Sequence, residues 1–565
     1  MTRNVLEQSL KRFTGQRKSI LAGLLIETFL SAVLRCSLAT ANEDEDGKKR
    51  LKALKKAVQS SAKELLSDSD LRSSPTSIYA WISYALVEWQ LDKIDESRKI
   101  LDKATNMFAE APLLSDNLDN DEETEDNCLA EKTALYRVKA ELELRCCFVD
   151  DGIDTFMLTR EVDDAELNVV IAGVENCKRT LFQLVGISTS DLNNAVDSAV
   201  FDTEAADGDD TDRSNSPRDS GNELTKSLLA RKRLSSCREK LFSQLSRRCL
   251  QKLCACTFDC NCRLFARNAV DRIRRITDAL FEVVVASSLL EYCISGGEEA
   301  SKIYEEAQSR LRSFFTLPPF REESFDPTKV EPLFLYERLV CHRVKFAAWL
   351  RKYRLRLSRN NSSTFAQSLD PNQIYKRLLW LSVQQFPDNA FLCRLFLRSS
   401  TAATYASFHL HRRLHSLVRS ATTPVLLFVA FGEFYDRFRD SENGSSGMWL
   451  LNMMRHSAST TWKHSILLWR QLFRMHLAVG KKSTESSTKD VVDERDPVVY
   501  LQHQVSGEAA LSFYESLQFC PWAKQIYLDK VKNDFKQWEQ VVDMMTEKEL
   551  RVRFPIEEFK VLLEN

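Results

Sequence analysis

Five cysteines, Cys249, Cys254, Cys256, Cys260 and Cys262, fall within fourteen residues and form a dense run of side chains able to hold a metal. Zinc sites pair thiolates as C-x2-4-C, with two such pairs separated by a longer loop. Here the intervals are x4, x1, x3 and x1, and no histidine is near, so the cluster reads as small buried hydrophobes. His411 and His415 are four residues apart and share a helix face, as ligands can. Arg412 and Arg413 lie between them and would repel a cation, which leaves them as surface histidines. There is no P-loop, no GxGxxG after a strand, no nucleophile elbow and no HExxH. The sequence therefore predicts a chain that is not an enzyme, with no catalytic residue, no cofactor and no metal.

Charge is the more informative chemistry. Net charge is −1, but Cys341 to Ser420 holds fourteen Lys and Arg against two acids, Asp370 and Asp388. Within it, Arg351, Lys352, Arg354 and Arg356 interleave with Tyr353 and Leu355. Cations beside an aromatic ring suit direct RNA contact, and equally an acidic partner segment, including the acidic insertions of the chain itself. Arg231-Lys232-Arg233 is a weak nuclear-localisation candidate against a solvated helix face.

The elements that position these residues read as helices throughout. Only 15 glycines and 13 prolines occur in 565 residues, too little turn punctuation for an all-β fold. Fifteen cysteines, an odd number without framework spacing, point to a reducing compartment, cytosol or nucleus. Ile20 to Leu38 is apolar enough to suggest a signal segment, but Glu27 and Arg35 interrupt it, and Leu21, Leu25, Phe29 and Ala32 fall at helical spacing, so a buried helix is expected. No other stretch is long and apolar enough to span a membrane. Asn42 to Arg50, Asp116 to Asp126, Phe201 to Leu224 and Gly480 to Asp496 read as solvated insertions or loops.

These features divide the chain into N-terminal helical repeats (1–115), an acidic loop (116–127), helical repeats (128–200) and a disordered acidic, Ser-rich insertion (201–224). Helical repeats then run over 225–480, with the basic stretch at 341–420, followed by a polar loop (481–496) and a closing repeat with a capping helix (497–565).

One hairpin is especially clear. Ile78, Trp81, Ile82, Ala85 and Trp89 recur at helical spacing, and a second helix carries Ser97, Ile100, Leu101, Ala104 and Phe108, with Asp95 as its expected cap. Trp81-x-x-Tyr84-Ala85-x-x-Glu88 followed by Arg98 to Ala104 resembles the half-a-TPR (HAT) repeat, a unit similar to the tetratricopeptide repeat of about 34 residues. In that repeat, aromatics of the first helix pack on a small residue of the second. Trp469, Leu472 and Phe473 mark another first helix, while Phe513 and Tyr514 lie on a second helix that stops at Cys520-Pro521. Pro521 is then expected to open a further helix with Trp522, Ile526 and Tyr527. The expected fold is all-α, a right-handed α-solenoid of HAT/TPR-like helical hairpins with disordered acidic insertions.

The C-terminus is more specific. Phe513 to Lys524, then Met544-Met545-Thr546-Glu547-Lys548-Glu549-Leu550-Arg551-Val552-Arg553-Phe554-Pro555, is similar to the closing segment of the nuclear RNAi-defective ("necessary for RNA interference") family of HAT-repeat proteins. Pro555 is expected to open a final helix that caps the array. The resemblance implies a nuclear, non-catalytic scaffold in RNA-mediated gene silencing, pre-mRNA splicing and control of the RNA exosome. Its implied partners are nuclear proteins of RNA-processing or silencing complexes and the exosome-adaptor helicase. In the family the helicase contact lies in a long N-terminal region. Here Met1 leads straight into helical text, so that contact is unassigned. The competing expectation is a HAT-repeat component of splicing or 3′-end processing machinery unrelated to silencing.

Overall fold

The computed structural model describes residues 78–90, 93–107, 122–144, 164–184, 239–258, 266–314, 327–360, 371–401, 407–440, 445–487, 509–533 and 538–550, with Leu21, Ala22, Leu25 and Lys56. Every regular element among these residues is helical, as the composition and spacing predict. The chain separates into two compact units, 1–375 and 376–565, a division that cuts the basic stretch in two. The insertions expected at 42–50 and 201–224, and the final helix after Pro555, lie outside the described residues.

The first unit opens with the hairpin of α1 (Ile78–Gln90) and α2 (Ile94–Met107). Almost every side chain of α1 is buried, as expected of a helix apolar on all faces. Helix α2 buries one stripe, Ser97, Leu101, Ala104 and Thr105. Trp81, Tyr84, Ala85 and Ala104 all belong to one core cluster, which also takes in Ala22 and Leu25. Because Ala85 and Ser97 are small, the helices approach closely enough for Ser97 Oγ to donate to the Ala85 carbonyl at 2.7 Å. Asp95 lies inside the first turn of α2 rather than capping it. The Lys93 carbonyl accepts the Ser97 N–H at 3.1 Å, so the helix begins one residue ahead of the expected cap. Beside Glu96, Asp95 instead favours the helix dipole.

Helix α3 (Glu122–Glu143) begins inside the stretch assigned to the acidic loop, because carboxylates in a first turn stabilise a helix N-terminus. It packs on α4 (Asp164–Leu184), which has a close approach at Gly173. A Cβ there would stand 2.0 Å from the Glu143 carbonyl oxygen, so only glycine fits. A π-helical segment, Glu239–Ser246, runs into α5 (Arg247–Phe258). The unit is organised around α6 (Ala266–Ser295), which touches α3, α4, α5, α7 (Gly297–Leu311) and α8 (Pro327–Asn360). Its run from Phe281 to Leu290 is buried on every side. Gly296, at φ 95, makes the turn from α6 into α7 in a conformation other residues rarely adopt.

The second unit contains α9 (Pro371–Gln385, which begins just before the division), α10 (Ala390–Thr401), α11 (Ser407–Ser420), α12 (Val425–Asp440), α13 (Ser445–Ser459) and α14 (Ile466–Ser487). It continues with α15 (509–519), α16 (Lys524–Asn533) and α17 (Trp538–Glu547). Helix α14 extends into the stretch expected as a polar loop, since its Lys, Ser and Glu residues tolerate a solvated helix. Pro521 does not open α16. The Ala523 N–H bonds to the Cys520 carbonyl at 3.1 Å, closing a turn, and the helix starts at Lys524.

Candidate interaction site

The basic residues of the 341–420 stretch divide into those neutralised within the fold and those left facing solvent. Arg343 bonds to Ser301 at 3.0 Å and pairs with Glu305, both on α7. Arg351 lies over the Tyr375 ring at 5.3 Å, while burial pushes the Tyr375 hydroxyl up to about 12. The side chains of Lys352, Arg354 and Arg356 lie outside the described residues, although the backbone of α8 carries all three. On α10, Arg394 and Arg398 both grip Glu433, at 2.7 and 2.8 Å. Those two bonds outweigh burial and hold the Glu433 carboxyl below its ordinary range. Arg413 covers the Trp380 ring at 4.9 Å. Lys376, Arg377, Arg412 and Arg419 are exposed, and none forms an ion pair among the described residues. Arg343, Arg394 and Arg398 are thus matched by carboxylates on other helices.

His342, at the head of the same stretch, joins a buried polar network in the first unit. Arg137 on α3 bonds to Glu141 at 2.6 Å and also pairs with Glu282 on α6. The His342 ring stands 3.4 Å from Glu141, and its other nitrogen is 2.7 Å from the Tyr304 hydroxyl on α7. Burial pushes the Glu141 carboxyl up, but Arg137 and His342 outweigh it and hold the group below its ordinary range. Burial also lowers His342, against the pull of Glu141. At Glu282 burial outweighs Arg137 and holds the carboxyl above its ordinary range, and the network joins four helices.

The second unit carries a feature the sequence reading missed, a line of hydrogen-bonded turns. Asp388 sits in the turn between α9 and α10. Its Oδ2 accepts from the Thr422 amide and hydroxyl at 3.1 and 2.5 Å, and its Oδ1 from those of Thr423 at 2.8 and 2.6 Å. Burial alone would raise this carboxyl, but the four donors hold it below its ordinary range. The Thr422 carbonyl accepts from the Trp462 indole at 3.2 Å, which links the turn before α12 to the turn before α14. In that third turn the Lys463 carbonyl accepts from the Trp469 indole at 2.8 Å and from the Cys520 thiol at 3.5 Å. The Phe519 carbonyl lies 3.2 Å from His464, completing the line to a fourth turn. The linked residues are 34, 40 and 57 positions apart in sequence. Asp388, one of the two acids of the basic stretch, is the residue that starts it.

The aromatic residues singled out earlier fall on two sides of this unit. Trp469 is fully buried and stacks on Phe519 at 5.8 Å, and Phe513 is buried between Phe473 and Tyr527. Tyr514 and Trp522 are instead 48% and 54% exposed, Trp522 stacking on His464 at 6.0 Å. Arg455 on α13 pairs with Glu515 on α15, and Arg470 on α14 with Asp529 on α16 at 2.6 Å.

Of the C-terminal segment, Thr546 to Leu550 are described, while Arg551, Val552, Arg553 and Pro555 lie outside the described residues. Glu547 is the last residue of α17, with Lys548 and Glu549 in the turn that follows. The Leu550 N–H bonds to the Met545 carbonyl at 2.8 Å and the Glu549 N–H to the Thr546 carbonyl at 3.0 Å. With Glu549 at φ 57, this is a Schellman stop made without glycine. Of the cysteine cluster, Cys249 is buried, the backbone of Cys254 and Cys256 is helical, and Cys260 and Cys262 lie outside the described residues. His411 and His415 do share one face of α11, and both line a cleft against α13.

No protein-family model matches the chain. The mouse protein called Nuclear exosome regulator NRDE2 is 23% identical over an alignment of 569 positions that covers 100% of this chain and 38% of the relative. The human protein of the same name is 55% identical over 53 residues, 9% of this chain and 5% of its own length. The chain thus spans well under half the length of the relatives it matches. Its sequence is homologous, at low identity over its full length, to Nuclear exosome regulator NRDE2.

Proposed function

We propose that the chain is a non-catalytic nuclear scaffold of the HAT-repeat type, a right-handed α-solenoid that regulates nuclear RNA processing and surveillance through protein–protein contacts. The observation that carries this reading is the full-length alignment with a protein named as a nuclear exosome regulator. The first two separations along the line of turns, 34 and 40 residues, support the repeat architecture by matching the length of a HAT or tetratricopeptide unit, while the third, 57, exceeds it. Small residues at the α1–α2 crossing do so as well. Leu467, Leu511, Tyr514 and Trp522 offer exposed apolar and aromatic side chains on the second unit for partner contact. The partners that fit are nuclear proteins of RNA-processing or silencing complexes, with the exosome-adaptor helicase as the first to test. RNA-mediated gene silencing would then follow from control of nascent transcripts.

Affinity purification of the tagged chain from nuclear extract, with mass spectrometry, tests the proposal. Enrichment of exosome-associated proteins is expected, together with altered levels of short-lived nuclear transcripts after depletion. Recovery of splicing or 3′-end processing complexes alone would move the chain to the other HAT class. Recovery of cytoplasmic partners alone would overturn the nuclear reading.

A further inference from the structure

The cleft between α11 and α13 has a composition that the scaffold reading does not use. Helix α11 turns His411, His415 and Arg419 to one wall, spaced at one helical turn, and α13 supplies Trp449, Asn452 and His456 to the other. The volume is about 440 Å³, within the usual range for small-ligand sites. Neither helix contains an aspartate or glutamate, and no carboxylate lines the cleft. The His411 ring meets Trp449 edge-on at 5.3 Å, so the indole is braced at the cleft wall. Three histidines face one space, yet among the described residues no group of His, Cys, Asp or Glu is placed to hold a metal ion. An anion is the ligand that suits such a lining, since every ionisable group there is either a cation or able to become one.

We propose that this cleft binds one nucleotide of single-stranded RNA, its phosphate held by Arg419 and the histidines and its base set against Trp449. Three features favour a nucleotide over a phosphorylated peptide. The lining pairs cationic donors with an indole surface, and an aromatic plane is what an unstacked base needs. Asn452 presents a donor and an acceptor on one amide, the combination that reads a base edge. Phosphopeptide sites instead gather several arginines, and here Arg419 is the single arginine of the lining. The proposal goes beyond the scaffold reading and does not depend on it, because it concerns direct contact with RNA.

Fluorescence anisotropy on the full chain decides it, with labelled twelve-nucleotide single-stranded RNA, a duplex of the same length and a phosphoserine peptide as probes. Single-stranded RNA is expected to bind best, with affinity falling as salt rises. Arg419→Glu should weaken it about tenfold or more, and Trp449→Ala by a similar factor. His456 is exposed, so His456→Ala keeps the fold intact should Trp449→Ala disturb it, and about a threefold loss is expected. Lys302→Glu, on the first unit, serves as a charge control and should change little. Ultraviolet crosslinks should map to peptides of α11 or α13. Undiminished RNA binding by a folded Arg419→Glu variant would overturn the proposal. So would crosslinks confined to other helices, or a preference for the phosphopeptide.

Discussion

Glu131 on α3 is 3% exposed, and its Oε1 has no hydrogen-bond partner among the described residues. Burial pushes its carboxyl from the ordinary 4.5 up to about 8. A folded-state value above the unfolded one stabilises the protein fully below pH 4.5, and that contribution is lost as pH rises through about 8. Glu131→Gln should therefore raise stability at pH 8 by about 2 kcal/mol and flatten the slope between the two values. Thermal melts of both proteins across that range would show it, and parallel pH profiles would refute it. Glu549 offers the opposite kind of test. Holding a glutamate at φ 57 costs about 1 kcal/mol, so Glu549→Gly should stabilise the chain by roughly that amount in denaturant titrations. Glu131 was not legible in the sequence as special, and Glu549 was legible only as part of the C-terminal segment, not as a helix stop. Glu131 sits among acids and lysines that look solvated, and Glu549 stands where a glycine would have announced the helix stop.

Helices were the legible part. Trp81, Tyr84, Ala85 and Ala104 recur at a spacing that only a helix can bury on one side, and the hairpin of α1 and α2 buries all four. Contacts made across long sequence separations were not legible, because periodicity reports a face and not what covers it. Arg137 meets Glu282 across 145 positions, and Asp388 meets Thr422 across 34. Gly173 belongs to the same class, since its need for no side chain comes from the carbonyl of Glu143 on another helix. Gly173→Ala should destabilise the first unit by about 3 kcal/mol, as α3 and α4 are forced apart. Chemical denaturation measures this, and a loss under 1 kcal/mol would mean the helices can slide to accommodate a methyl group. Asp388→Ala should cost about 1–2 kcal/mol by removing an acceptor for four donors, measured the same way at pH 7.

At the scale of the molecule, Glu131 and Asp388 belong to different compact units. Combining Glu131→Gln with Asp388→Ala should give a change equal to the sum of the single changes within about 0.5 kcal/mol. A larger coupling energy in a double-mutant cycle would show that the two positions are not energetically independent. The division at residue 375 could not be read from the sequence, because helical text and basic charge both run across it without a break. The turns of the second unit have a consequence for how such a chain can change over evolutionary time. Each turn is registered on its neighbour by side-chain and carbonyl bonds. The distance between successive turns grows from 34 to 57 positions while the line of contacts continues. An added segment between turns is therefore compatible with the line of bonds only where it leaves the packed helix faces in register. A single residue added within a turn, beside Asp388 or Lys463, would shift every later helix out of step.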